Sequence, residues 1–257
     1  MMNYMKSELY RIWRSKGIYL LIGGCMILML AMNLVLWAFG KSYDFFTYAT
    51  TKFSFSMLET GMQAAFFITL MISCMIFGDE YKHRTLSNVT AFGYSKMTVF
   101  FSKWMITLFV SAIGLVLVVG TLLGSGWLLL EHSNVGEIEG VLKAVVVCIP
   151  IFICGVTGAY VFIFLLKNET KVIWTWFGVF IGVEMPISLL GMKFKFLEHL
   201  SKWLVFDILG DVTIDEAAGD WYMIWETSEG LIRTILAGVL GTIVFLVIGM
   251  IGMRKKK

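Results

Sequence analysis

The sequence predicts an all-α membrane protein that crosses the bilayer six times, and three observations carry that prediction. Hydrophobic residues make up 58% of the 257 residues and charged residues 15%, with a mean hydropathy of +0.82. Soluble domains hold about 25% charged residues. Six apolar runs each approach or exceed the roughly 20 residues needed to cross a hydrocarbon layer of about 30 Å. Lys and Arg fall almost entirely between those runs, and unevenly between the two sides they define. The runs follow one another with a single sizeable external stretch, so residues 1–257 are expected to form one membrane domain.

Residues 1–17 precede the first run. Tyr4, Met5, Leu9, Ile12 and Trp13 gather near one helical face and Lys6, Arg14 and Lys16 lie elsewhere, the pattern of an amphipathic helix lying at a membrane surface. The basic start followed by apolar residues also has the order of a signal peptide. However, the apolar run 18–39 is longer than a signal core of about 7 to 15 residues, so it reads as the first crossing.

The remaining crossings are expected at 60–78, 104–130, 144–166, 172–192 and 231–253. The second is the most polar, with Thr60, Gln63, Thr69 and Ser73, and is expected to face protein or a water-filled path. The 104–130 run carries no charge, and its length permits tilt. Pro150 and Pro186, the only two prolines, both fall in membrane runs, where each removes a backbone donor. Gly120-x-x-x-Gly124 and Gly178-x-x-x-Gly182 offer small faces for helix packing.

Six crossings place both termini on one side. That side receives fourteen of the 21 Lys and Arg, and the opposite side receives Lys41, Lys52, Lys143, Lys193, Lys195, Lys202 and Arg233. By the positive-inside rule the termini and the 79–103 loop are cytoplasmic. Asn88 and Asn168 open glycosylation patterns but fall on that side, so they are set aside. The outer segment 193–230 interleaves Asp207, Asp211, Asp215, Glu216, Asp220, Glu226 and Glu229 with Trp203, Phe206, Trp221, Tyr222 and Trp225. Such aromatic density belongs at a lipid interface, and short helices lying on or dipping into the outer leaflet are expected.

Several function classes find no residues to support them. Cys25, Cys74, Cys148 and Cys154 lie in apolar runs without Cys-x-x-Cys spacing, and His83, His132 and His199 lie in three separate loops. A metal or redox site is therefore not expected. There is no phosphate loop, no His-Glu-x-x-His, no Gly-x-Ser-x-Gly and no pair of membrane carboxylates, so no catalytic residue is assigned. A net charge of +3 with no basic block among exposed aromatics argues against nucleic acid. Glu184 alone is an acid inside a run, where facing lipid would cost about 2.5 kcal/mol or more. It is either a polar point on a transport pathway, together with Gln63, or a structural hydrogen bond near the outer end.

Between the second and third runs lies Gly78-Asp79-Glu80-Tyr81-Lys82-His83-Arg84-Thr85-Leu86-Ser87-Asn88-Val89-Thr90-Ala91-Phe92-Gly93-Tyr94-Ser95-Lys96, continuing to Ser102-Lys103. Leu86, Val89 and Phe92 recur at a spacing of three, so a short amphipathic helix would turn its charges toward the cytosol; a solvated connecting loop fits the same residues. Glu80, Thr85-Leu86, Gly93, Ser95-Lys96 and Lys103, within this order of runs, resemble the corresponding loop of ABC-2 type permeases. That family often has Gly before the Thr, where Arg84 stands here.

The resemblance implies the transmembrane subunit of an ATP-driven exporter, acting as a dimer with a second permease copy, an identical chain or a different one, in a bacterial cytoplasmic membrane. It implies that the loop is a coupling helix docking on a separate ABC ATPase, with Glu80, Lys82, Arg84, Thr85, Leu86, Gly93 and Lys103 as coupling residues. ATP and Mg would be held by the ATPase and no cofactor by this chain. Helices two and five would line the cavity and 193–230 would form a partly re-entrant gate, with membrane lipid around the bundle. An amphipathic substrate such as an antimicrobial peptide is the expected cargo. The alternative is an ATPase-independent carrier or an immunity protein. An ion-driven carrier would normally carry several intramembrane acids in repeated halves, and here there is one.

Overall fold

The computed structural model describes residues 2–43, 45–82, 95–132, 136–210, 212–215, 220–223, 225 and 227–255. The chain opens with α1 (Met2–Trp13), turns sharply into α2 (Lys16–Ser42), and continues as α3 (Thr51–Thr60) and α4 (Met62–Lys82). Then come α5 (Lys96–Leu129), α6 (Gly136–Leu166), α7 (Glu169–Phe177), a π-helical turn (Gly178–Gly182) and α8 (Glu184–Gly191). Two short helices, α9 (Lys195–Ser201) and α10 (Val205–Gly210), precede strands β1 (Val212–Asp215) and β2 (Asp220–Met223) and the last helix, α11 (Ser228–Lys255).

Five spans, formed by α2, α5, α6, α7 with α8, and α11, are each long and apolar enough to cross a membrane. A sixth crossing is obtained when α3 and α4, bent by 60° at one residue, count as a broken span. That residue is Gly61, where a Cβ would lie 2.7 Å from the Met57 carbonyl, so the bend requires glycine. The second run, expected at 60–78, is thus the longer arm of a bent pair. Other helices extend beyond their apolar runs because polar caps hold the extra turns. Ser95 Oγ accepts from Thr98 N at 3.1 Å at the start of α5, and Asn168 Oδ1 accepts from Lys171 N at 3.1 Å at the start of α7. Both are side-chain N-caps.

The fifth crossing is interrupted. Val183 N donates to Gly178 O at 2.9 Å, an i→i+5 bond, just before Pro186 enters the first turn of α8. In that turn a missing N–H costs little, because first-turn donors have no intrahelical acceptor. The expectation of helices alone in 193–230 is corrected by β1 and β2. They pair antiparallel in the register Val212 to Met223 through Asp215 to Asp220. The pairing gives this stretch backbone partners that short helices interrupted by acidic residues would lack.

The α6 helix is the axis of the bundle and is buried over most of its length, whereas α2 buries only Ile18, Asn33 and Leu36. The close approach is made by α11, not by the two glycine pairs singled out in the sequence. A Cβ on Gly238 would meet the Pro150 carbonyl carbon at 2.4 Å, and one on Gly241 the Cys154 Sγ at 2.5 Å. Gly120, Gly124 and Gly178 have nothing within 4 Å, and Gly182 meets only Phe177 O at 3.7 Å. Of the polar residues expected in the second run, Thr60 is exposed, Gln63 is half-buried, and Thr69 and Ser73 face protein. Thr69 and Ser73 are buried, and Ser73 Oγ donates to Thr69 O at 2.8 Å and reaches Val156 O on α6 at 3.5 Å. Near the opposite end, buried Asn33 of α2 donates to Leu122 O at 3.1 Å and Ser125 Oγ at 2.7 Å, and accepts from Ser54 Oγ at 2.6 Å.

These contacts sort the helix ends into two faces. One gathers α1, the end of α4, the start of α5, and the ends of α6 and α11, where Gly252 packs on Leu165. The other gathers α3, the end of α5, α9, α10, the hairpin and the start of α11.

Candidate functional site

Two polar groups of residues stand out against this apolar bundle, one at each face. On the face with the chain ends, Tyr4, Glu8 and Ile12 of α1 recur every four residues, so they lie on one helical stripe. All three are buried. The Glu8 carboxylate lies 2.8 Å from Arg11 Nη2 and 3.2 Å from Lys103 Nζ of α5, with side-chain exposures of 10% for Glu8 and 3% for Lys103. Burial pushes the Glu8 carboxyl up, but the Lys103 and Arg11 charges outweigh it and hold it below the usual carboxylate range. The Lys103 ammonium also lies 5.9 Å from the Tyr4 ring centre and 5.5 Å from that of Phe77, a cation–π arrangement. Arg11 Nη2 donates to the Ile76 carbonyl at 3.4 Å.

The consequence is mechanical. Helix α4 leads into segment 83–94 and α5 leads out of it, and α1 is bonded to both. Glu80 and Lys82 belong to the last turns of α4. Arg84, Thr85, Leu86 and Gly93, with the expected coupling helix, lie outside the described residues. Lys103 is buried against α1 and is not open to a docking partner. Trp13, at the end of α1 where the chain turns into α2, is 76% exposed.

On the opposite face, the two residues expected on the pathway meet at one backbone position. Gln63 Nε2 of α4 donates to Phe206 O, and Glu184 Oε2 accepts from Phe206 N, each at 2.9 Å. Glu184 is buried, and its carboxylate satisfies a first-turn donor of α10, as an N-cap would. Ser188 of α8 donates to Asp207 Oδ2 one residue further on. A Cβ on Gly210 would lie 2.1 Å from Gln63 Nε2, so a larger residue there would displace the Gln63 amide from its present position against α10. Below this hold lies an aromatic group from α4 and the fifth crossing. Phe66 is 5.1 Å from Trp176 and 5.2 Å from Phe180, and Phe67 is 5.4 Å from Phe177 and 5.8 Å from Phe206, between ring centres. The second and fifth crossings therefore pack directly on each other beneath α10.

Among the described residues no three His, Cys, Asp or Glu side chains come together as metal ligands, and the four cysteines are free thiols. A helical bundle with several membrane-length apolar spans, one bent pair of helices and short helices over one end is the architecture of a polytopic membrane protein. The family model for ABC-2 family transporter protein matches residues 4–184, and the chain belongs to that family. No curated protein and no solved structure matches it. Membership makes the chain a membrane permease of the ABC-2 kind.

Proposed function

We propose that this chain is the transmembrane subunit of an ATP-driven exporter, working as a dimer and driven by cytosolic ABC ATPases that press on segment 79–103. The observation that carries the reading is the attachment of both helices flanking that segment to α1 through Glu8, Arg11, Lys103 and the Ile76 carbonyl. A push on the segment would be transmitted to α4 and α5 together with an interfacial helix, not absorbed in a slack loop. The Lys and Arg excess on this face supports a cytoplasmic placement for it. Lys103 would contribute to coupling through α1 and not by touching the ATPase, which leaves direct docking to Glu80, Lys82, Arg84, Thr85, Leu86 and Gly93.

At the outer face, Gln63 and Glu184 would act as the hold on α10, closing the path above the Phe66–Trp176–Phe180 group. Drawing α4 and the fifth crossing apart would release Phe206 from both sides at once. The cargo that fits an apolar, aromatic-lined path is an amphipathic molecule, and a peptide of the antimicrobial kind is the substrate proposed.

Joint replacement of Glu80 and Arg84 tests the coupling assignment. The double variant should reach the membrane folded yet lose capture of the ATPase and export. Normal capture with normal export would overturn the assignment. For Glu184, the Gln variant should export more slowly, because an amide is a weaker acceptor for Phe206 N. Unchanged export would leave Glu184 a purely structural hydrogen bond.

A further inference from the structure

At the elbow between α1 and α2 the surface opens into a cleft of about 590 Å³. Its polar wall includes Arg14, Lys16 and Glu169, and its apolar wall Ile18, Met75 and Cys74. Arg11 also borders it but is already bonded to Glu8. Arg14 and Lys16 make no ion pair among the described residues. Arg14 is held with its guanidinium 4.6 Å from the Tyr10 ring centre, so its position is set by an aromatic face while its donors stay open. Two uncommitted cations therefore stand against the single carboxylate of Glu169. The elbow is fixed by Tyr19 Oη, which donates to Trp13 O at 2.9 Å. Tyr10, Trp13 and Tyr19 are exposed around it, as aromatic side chains are at a membrane interface.

We propose that this cleft binds an anionic membrane phospholipid, with its phosphate between Arg14 and Lys16 and its acyl chain along Ile18 and Met75. A free anion would use only the cationic wall. The apolar wall directly beneath it, on two membrane-embedded helices, suits a ligand with both parts. The inference rests on α1 lying at the membrane surface and not on ATPase coupling, so the two fail separately.

The test is native mass spectrometry of the full chain with phosphatidylglycerol or phosphatidylcholine, with R14Q/K16Q compared with K6Q/K171Q, which removes two cations of the same face that do not line the cleft. A basic residue near an anionic surface is worth roughly fivefold in affinity, so R14Q/K16Q should lower phosphatidylglycerol retention roughly twentyfold. K6Q/K171Q should retain it, and excess inorganic phosphate should not displace it. Equal retention of the two lipids by the unmodified chain would overturn the proposal. So would equal losses in the two double variants, which would show diffuse charge attraction, or displacement by inorganic phosphate, which would show a free-anion site. All four positions are exposed, and a monodisperse elution profile checks that each variant is folded.

Discussion

Replacing Glu8 by Gln removes the carboxylate from beside Lys103, a buried ammonium. At 3.2 Å and an effective dielectric of about 20, the gross attraction is about 5 kcal/mol. Desolvation of both groups offsets much of it, but removing one partner leaves that desolvation uncompensated. A cost of about 3 kcal/mol is therefore expected, falling on the docking of α1 and not on the whole bundle. In nanodiscs the amides of α1 should then exchange about a hundredfold faster, while those of α6 keep their protection. Replacing both partners, Glu8→Leu with Lys103→Met, removes the two charges together and should restore protection to within about 1 kcal/mol of the unmodified chain. Unchanged exchange at α1 in Glu8→Gln, or a double variant worse than the single, would refute the claim that this pair holds α1 on α5.

The same pair sets a pH dependence. The folded pKa of Glu8 lies below its unfolded value, so its contribution is fully present above about pH 4 and is lost as pH falls through the folded value. The protection factor of the α1 amides, that is exchange relative to the intrinsic rate at each pH, should be flat from neutral to mildly acidic pH and fall only below about pH 4. Asn33→Leu deletes three hydrogen bonds that join α2, α3 and α5, and should lower stability by about 2 kcal/mol in a denaturant titration, given the modest worth of each interhelical bond in a membrane. Gly238→Ala forces the α6 and α11 backbones apart and should cost about 3 kcal/mol. In the isolated chain Gly124→Ala, which meets nothing within 4 Å, should change stability by less than about 0.5 kcal/mol.

The crossings were legible because hydrocarbon imposes length and apolarity on the sequence. The breaks were less so. Gly61 was one of 25 glycines, and only the backbone geometry shows that its Cβ would clash. The π-helical turn before Pro186 depends on where the following helix finds its acceptors, which no composition window records. Glu8 was missed because an acid on an amphipathic helix normally faces water, and its partner Lys103 lies far along the chain. The available signal was its position four residues after Tyr4 and four before Ile12, inside the apolar stripe. Asn33 was a similar omission: a lone amide in the first apolar run needs partners inside the membrane. Glu184 and Gln63 stand out in the sequence as polar residues in apolar runs, but their common partner, the Phe206 backbone, has no side-chain signature to find.

The most direct test of the account is reconstitution of this chain with its cognate ABC ATPase, with ATP hydrolysis measured with and without the permease. A stable complex, with a hydrolysis rate that changes on assembly and reverts in the Glu80 and Arg84 double variant, is the predicted result. A folded, monodisperse permease that neither binds the ATPase nor alters its rate would contradict coupling through segment 79–103 and favour a carrier or immunity protein that works without ATP.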